Sequence, residues 1–228
     1  MQTVQLAEVA AVLADPSRAT MCLALIDGRA WTVGELARTA AIAPSTASEH
    51  VRALTEAGFV EGVRQGRHRY VRITDPRVAE LIERLAEHAE HREPRSLTAS
   101  VRARRLSFAR TCYDHLAGAL GVALRDGMLR DGLIDQRAGL ALTPEGEQRL
   151  DDLGVPRTEP GSRPLLRECL DWTERREHLG GALPATLLDH ALQAGWLDRD
   201  QHRAVRIHPS AHGPLVRLGV DLEALPSM

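Results

Sequence analysis

Apolar residues recur every three to four positions along the opening of the chain: Leu6, Val9, Ala10 and Leu13, then Met21, Cys22, Leu25 and Ile26 beyond Asp15-Pro16. That periodicity predicts two amphipathic helices, with Cys22 as a packing residue. Leu36, Ala37 and Ala40 repeat the pattern behind Thr32, and Glu35 stands three positions after it. A hydroxyl followed at that distance by a glutamate is the signature of a capping box, so a helix is predicted to start near Thr32. Ala41-Ile42-Ala43-Pro44 interrupts it, because a proline drives the residue before it toward extended backbone. The next helix opens at Pro44-Ser45, turns Ala47, Val51 and Leu54 inward, and stops at Gly58.

The period then changes from helical to alternating. Phe59 to Val63 and His68 to Ile73 flank Gln65-Gly66-Arg67-His68, the pattern of a two-stranded hairpin. Asp75-Pro76 begins another helix through Val78, Leu81, Ile82, Leu85 and Ala89, whose apolar stripe suits pairing with its own copy. His91 to Ser100, with Pro94, reads as a hinge. The expected layout is therefore a front domain over 1–93 and a linker over 94–105.

The rest of the chain reads as one unit written twice, over 106–156 and 157–228. Cys112-Tyr113-Asp114-His115-Leu116-Ala117-Gly118-Ala119-Leu120 is echoed by Cys169-Leu170-Asp171-Trp172 and, after an insertion, His178-Leu179-Gly180-Gly181-Ala182-Leu183. Asp131-Gly132-Leu133-Ile134-Asp135 parallels Ala194-Gly195-Trp196-Leu197-Asp198. Leu142-Thr143-Pro144 answers Ile207-His208-Pro209, and Leu153-Gly154-Val155 answers Leu218-Gly219-Val220. Four echoes in the same order indicate an internal duplication. Each copy is predicted as a helix starting near its cysteine, a second helix ending at a glycine, then an extended piece leading to a helix at the proline. The fold class expected is mainly α with small β-hairpins: a winged helix-turn-helix domain plus a C-terminal domain of two similar helix-rich repeats about a pseudo-twofold axis.

Composition changes this picture little. The 228 residues carry a net charge of −2, and every residue of the Lys/Arg class is arginine. Local charge matters more than the sum for phosphate contact. The hairpin tip and return strand gather Arg64, Arg67, His68, Arg69 and Arg72 without an acid among them. No apolar run is long enough for a bilayer and no secretion signal opens the chain, so a cytoplasmic protein with no membrane partner is expected. Three scattered cysteines, Cys22, Cys112 and Cys169, do not make a disulfide scaffold and would stay reduced there.

Helix, turn, helix and basic hairpin together are the parts of a DNA reader: a helix fits the major groove, and a basic hairpin rests on neighbouring phosphates. The contacting residues expected are Ser45, Thr46, Ser48, Glu49, His50 and Arg52 on the second helix, and Arg64, Arg67, His68 and Arg69 on the hairpin.

These residues resemble the ArsR/SmtB family of bacterial winged-helix repressors from about Leu6 to His91. The resemblance is carried by Leu13-Ala14-Asp15-Pro16-Ser17-Arg18, Val33-Gly34-Glu35-Leu36-Ala37, Pro44-Ser45-Thr46-Ala47-Ser48-Glu49-His50-Val51-Arg52-Ala53-Leu54 and Ala57-Gly58-Phe59-Val60. It implies a homodimer that sits on double-stranded operator DNA and leaves it when an effector binds. The family's cysteine box on the first helix of the motif is absent, since Val33-Gly34-Glu35-Leu36-Ala37-Arg38 has no thiol. Its other metal site, on the last helix, would fall on Asp75, Arg77, His88 and His91, where the cation of Arg77 takes a ligand position. His88 and His91 are therefore read as polar residues of a solvated face.

The remaining candidate chemistry lies in the duplicated region. Cys112, Asp114 and His115 in one copy and Cys169, Asp171 and His178 in the other offer thiolate, imidazole and carboxylate, the set that zinc or another thiophilic metal prefers. A three-residue offset on a helix would put Cys112 and His115 on one face. A small-molecule pocket between the two copies and inherited packing positions are the other readings of this region. His202, His208 and His212 are taken as surface. A dimeric repressor whose C-terminal domain senses a small effector is the leading function, and no enzymatic activity is expected. A thiol- or metal-responsive regulator, a pocket-less dimer-stabilising extension, and a DNA-tethered Cys/His enzyme are its rivals.

Overall fold

A computed structural model of the chain describes residues 6–66, 68–88, 97–158, 161, 163–200 and 203–226. It divides into two compact units, residues 1–88 and 89–228.

The first unit is a winged helix. Helix α1 (Leu6–Leu13) and helix α2 (Pro16–Leu25) precede a short strand β1 (Trp31–Thr32). Helices α3 (Val33–Ala40) and α4 (Pro44–Glu56) follow, then strands β2 (Val60–Gln65) and β3 (His68–Ile73), then helix α5 (Pro76–His88). Local chemistry sets each boundary. Asp15 caps α2 by accepting from the Arg18 N–H at 2.9 Å. The capping box expected at Thr32 is present: the Thr32 N–H donates to Glu35 Oε2 at 2.7 Å, and the Glu35 N–H donates to Thr32 Oγ1 at 3.3 Å. Both orphan donors are thereby satisfied. Thr32→Ala is expected to lower the stability of this unit by about 1 kcal/mol, readable by urea unfolding, whereas Thr32→Ser should keep most of it.

The wing is antiparallel, with β3 between β1 and β2 and the register running from Val60↔Ile73 to Gln65↔His68. Met21, Cys22, Leu25, Ile26, Leu36, Leu54 and Val71 are buried and form the core of this unit. Burial pushes the Cys22 thiol up to about 12, so it stays protonated and packs as an apolar group.

The second unit begins with helix α6 (Leu97–Phe108). Residues 97–105, expected as linker, are helical, and the rest of that stretch lies outside the described residues. Ala99, Arg102, Ala103, Arg104 and Arg105 are good helix formers, and the only proline of the stretch, Pro94, lies ahead of the helix.

The duplication is visible element by element, although each copy opens differently from expectation. Strands β4 (Arg110–Cys112) and β5 (His115–Ala117) form a hairpin, followed by helix α7 (Ala119–Arg130), strands β6 (Ile134–Asp135) and β7 (Ala141–Leu142), and helix α8 (Pro144–Asp152). The second copy has strands β8 (Arg167–Asp171) and β9 (Arg176–Gly180), helix α9 (Ala182–Gln193), strands β10 (Leu197–Arg199) and β11 (Val205–Ile207), a 3₁₀ turn at Pro209–Ala211, and helix α10 (His212–Arg217). Each cysteine therefore lies on a strand, and the helix expected there is corrected to a hairpin. Short alternating segments ending in a turn favour pairing over a helix too short to hold its own hydrogen bonds.

Gly118 and Gly181 occupy matching places before α7 and α9, at φ 79° and 116°. A Cβ on either would stand 2.7 Å from a backbone oxygen, of Ser107 and Leu165 respectively. Only glycine admits that approach. The two copies then share one core, with Leu116, Leu120, Leu124 and Met128 of the first packed into the same cluster as Leu179, Leu183, Leu188 and Leu218 of the second.

Candidate nucleic-acid interface and Cys/His centre

Helix α4 presents the outward face expected of it. Ala47, Val51 and Leu54 are buried, while Ser45, Ser48, Glu49 and Arg52 are exposed and Thr46 is half-buried. Among the described residues Arg52 makes an exposed ion pair with Glu56 at 3.8 Å, a pairing weak enough to exchange for a better anion. Ser48 Oγ donates back to the Pro44 carbonyl at 2.9 Å. Ala43 caps the helix without a side-chain hydrogen bond, which leaves first-turn N–H groups facing solvent as anion donors.

His50 departs from the expected outward set: its Nε2 lies 3.8 Å from Asp15 Oδ1, and its side chain is largely covered. It ties α4 to the start of α2. On the wing, Arg64 and Arg69 face each other across the strands, both exposed, and neither is ion-paired among the described residues. Arg72 is instead neutralised by Glu61 at 2.6 Å. Arg67 lies outside the described residues, as does the side chain of His68. The wing's unpaired charge thus sits toward its tip, where phosphates would meet it.

Of the family's last-helix metal position, Asp75 is forked by its neighbour Arg77, with Nη2 at 2.8 Å. The side chain of His88 and the whole of His91 lie outside the described residues. That carboxylate is already occupied by a guanidinium.

The second unit gathers chemistry that is scattered in the sequence. Cys112 pairs across its hairpin with His115, and Cys169 pairs in the same register with His178. The hairpins bring the four together. Cys112 Sγ lies 3.9 Å from Cys169 Sγ, and His115 Nε2 lies 3.2 Å from His178 Nε2. Cys112, His115 and His178 are buried, and Cys169 is half-buried.

Asp114 and Asp171, expected as possible oxygen ligands, stand behind the histidines instead. Asp114 Oδ1 is 3.2 Å from His115 Nδ1, and Asp171 Oδ2 is 3.4 Å from His178 Nδ1. The second contact has ion-pair distance without hydrogen-bond direction, since His178 Nδ1 has no hydrogen-bond partner. Each carboxylate lies two residues after its cysteine, so one spacing serves both copies.

Two arginines that the sequence did not single out hold these carboxylates. Arg163 grips Asp114 through both terminal nitrogens, with Nη2 at 2.9 Å from Oδ1. Arg110, fully buried, places Nη2 3.0 Å from Asp171 Oδ2. Asp171 also accepts from the Gly118 N–H at 2.6 Å and from Thr173 Oγ1 at 2.6 Å. Burial works to raise both carboxyls, but these partners prevail: Asp114 is lowered to about 2, and Asp171 is held well below the usual carboxylate range by the Arg110 charge and the Thr173 hydroxyl. Only the distance from residue 110 to 171, collapsed by folding, reveals Arg110.

The thiols are polarised too. A hydrogen bond from Cys112, with His115 and His178 alongside, holds the Cys169 thiol far below its ordinary range against the opposing effect of burial. Burial works to lower the His115 pKa, yet Asp114 and Cys169 outweigh it and raise it. A thiolate facing imidazoles is a soft donor set.

A helix-turn-helix domain family matches residues 13–63. An uncharacterized HTH-type transcriptional regulator of Bacillus subtilis (strain 168), YdfF, is 39% identical over 209 residues, covering 90% of this chain and 92% of that protein. Among solved structures, the homodimeric winged helix-turn-helix DNA-binding domain of Mycobacterium bovis Mb0332, a possible ArsR-family transcriptional regulator, is 28% identical with TM-score 0.34. It covers 42% of this chain and 98% of that one. Rv0081 of M. tuberculosis is 27% identical with TM-score 0.35, over 46% of this chain and 99% of that one.

Proposed function

Because the chain belongs to the family of HTH-type transcriptional regulators, we propose that it binds double-stranded operator DNA as a homodimer and that its second unit adjusts that binding in response to an effector. The observation that carries the reading is the pairing of an outward polar α4 face with an arginine-bearing wing on one small scaffold. Such an arrangement supplies base contacts from the helix and phosphate contacts from the hairpin.

Dimerisation is supported by apolar surface left uncovered in the single chain. Helix α1 has no buried residue, with Leu6 and Val9 exposed, and α5 leaves Leu81 and Leu85 exposed. Burying such side chains against a second copy would gain about 1.5–3 kcal/mol for each that is fully covered. No described helix is long and apolar enough to cross a membrane.

The effector response is assigned to the Cys/His centre. The apolar cavity between the copies, lined by Leu116, Leu124, Leu179, Leu188 and Trp196, holds only about 30 Å³. That is too small for an organic effector, whereas a more open groove beside α6, lined by Val101, Arg104, Arg105, Asp200 and Arg206, holds about 370 Å³, so the assignment to the Cys/His centre rests on its convergent thiols and imidazoles.

Gel-shift titration against the chain's own promoter region tests the DNA reading. Arg64→Ala and Arg69→Ala should each weaken binding to all sequences and reduce the salt-dependence slope by about 1 per phosphate contact removed. Arg52→Ala should instead alter sequence preference. Unchanged affinity and unchanged salt slope in the Arg64→Ala/Arg69→Ala double variant would refute the wing's role.

A further inference from the structure

We propose that Cys112, His115, Cys169 and His178 hold one tetrahedral zinc ion that clamps the two copies of the repeat together. Two ligands come from each copy, one on either strand of its hairpin, and they meet at the seam the duplication creates. The ligand atoms all lie within 4.8 Å of one another.

The sulfur–sulfur and nitrogen–nitrogen spacings match the edges of a single coordination sphere, and a small inward shift of the two pairs closes it. Zinc bonds of about 2.3 Å to sulfur and about 2.0–2.1 Å to nitrogen give tetrahedron edges of about 3.8 Å between sulfurs and about 3.3–3.4 Å between nitrogens. The structure has 3.9 Å and 3.2 Å. An iron–sulfur cluster would divide the four ligands between separate irons and spread them beyond that radius. Two thiolates and two imidazoles are also the wrong donors for magnesium or calcium, which take oxygen.

The surroundings are arranged for a metal. Each histidine turns Nε2 to the centre; Asp114 partners His115 Nδ1, which fixes a ligating imidazole and raises its basicity, and Asp171 stands 3.4 Å from His178 Nδ1 as a neighbouring charge. Charge closes as well. Two thiolates balance the dication, Arg163 balances Asp114, and Arg110 balances Asp171. Four protein ligands complete the sphere, so no position remains for water or substrate, which is the form of a structural or regulatory site rather than a catalytic one.

Metal binding here is folding energy for the second unit, because both hairpins must be in place before the sphere exists. The inference deepens the assignment of the responsive centre but stands on ligand geometry alone. Metal content is read apart from DNA binding, so failure of either leaves the other intact.

The full chain, purified under reducing conditions without added metal, should carry about one zinc per chain by elemental analysis. Chelation should lower the melting temperature of the second unit, and zinc should restore it. Replacing zinc by Co2+ in the otherwise unaltered protein should give intense visible bands of tetrahedral cobalt with sulfur-to-metal charge transfer in the near ultraviolet. Cys169→Ser and His178→Ala should each lose the metal at chelator concentrations that spare the parent chain. Weak octahedral cobalt bands, protein recovered folded and metal-free with a Cys112–Cys169 disulfide, or zinc retained in a Cys169→Ser/His178→Ala double variant would each overturn the proposal. The cobalt spectrum needs no substitution, so a variant that fails to fold does not obscure the answer.

Discussion

Asp171→Ala is expected to destabilise the second unit by about 3–5 kcal/mol, because it removes the counter-charge from a guanidinium that has no access to water. Arg110 is fully buried, and its Nη2 lies 3.0 Å from Asp171 Oδ2. Its other contacts are neutral: Nη1 donates to Thr173 Oγ1 at 3.1 Å and to the Leu106 carbonyl at 3.2 Å, and the guanidinium lies over the Trp172 ring at 4.6 Å. None of these can replace a carboxylate. The loss would also strip the Gly118 N–H at the start of α7 and the Thr173 and Glu174 N–H groups of their acceptor.

The double variant Arg110→Met/Asp171→Ala separates the two contributions. It removes the orphan charge while leaving the backbone donors unsatisfied, so it should recover part of the loss but not all of it. Urea unfolding followed by tryptophan fluorescence reads both, since Trp172 reports directly on the site. Equal losses in the single and double variants would show that an unpaired Arg110 charge adds nothing to the cost of losing Asp171.

Gly127→Ala should be still more damaging. A Cβ there would lie 2.1 Å from the Gly219 carbonyl oxygen and 2.4 Å from its carbon, both rigid backbone atoms. The closeness is reciprocal, because a Cβ on Gly219 would meet the Gly127 oxygen at 2.6 Å. Helix α7 of the first copy therefore touches, backbone to backbone, the turn that ends α10 of the second, and Arg130 Nη2 reinforces the contact by donating to the Gly219 carbonyl at 2.6 Å. Ordinary overpacking costs about 1–3 kcal/mol because side chains can yield. Here the two main chains would have to separate, so a larger loss is expected, up to failure of the unit to fold. Gly213→Ala is the matched control, since nothing lies within 4 Å of its added methyl. Comparable melting temperatures for the Gly127→Ala and Gly213→Ala variants would contradict this account of the packing.

Both effects sit in parts of the molecule where the sequence is quiet or misleading. Arg110 looks like any of the arginines that populate this chain, and Gly127, in Asp126-Gly127, reads as a turn signal although it lies inside α7. The duplication, in contrast, is legible because its echoes keep their order. What the echoes did not carry was the local structure at their start. A three-residue Cys-to-His offset suits a helix face and a tight hairpin equally, and Tyr113 at φ 56° in the turn is where the hairpin prevailed. The second copy stretches the same design by two rungs, Leu170↔Glu177 and Asp171↔Arg176, so the cysteine and histidine still face each other although eight residues intervene.

By itself the sequence determined the winged helix, because each of its signals acts within a turn or two of chain. Thr32 and Glu35 start one helix, Pro44 and Gly58 bound the next, and alternation marks the wing. Tertiary structure alone decided that His50 faces Asp15, that Arg72 is neutralised by Glu61, and that four ligand side chains from two hairpins converge with Arg110 and Arg163 behind them. Periodicity says which side of an element is buried. It carries no information on which distant element will lie against that side, and convergence of charge and thiol depends on that choice.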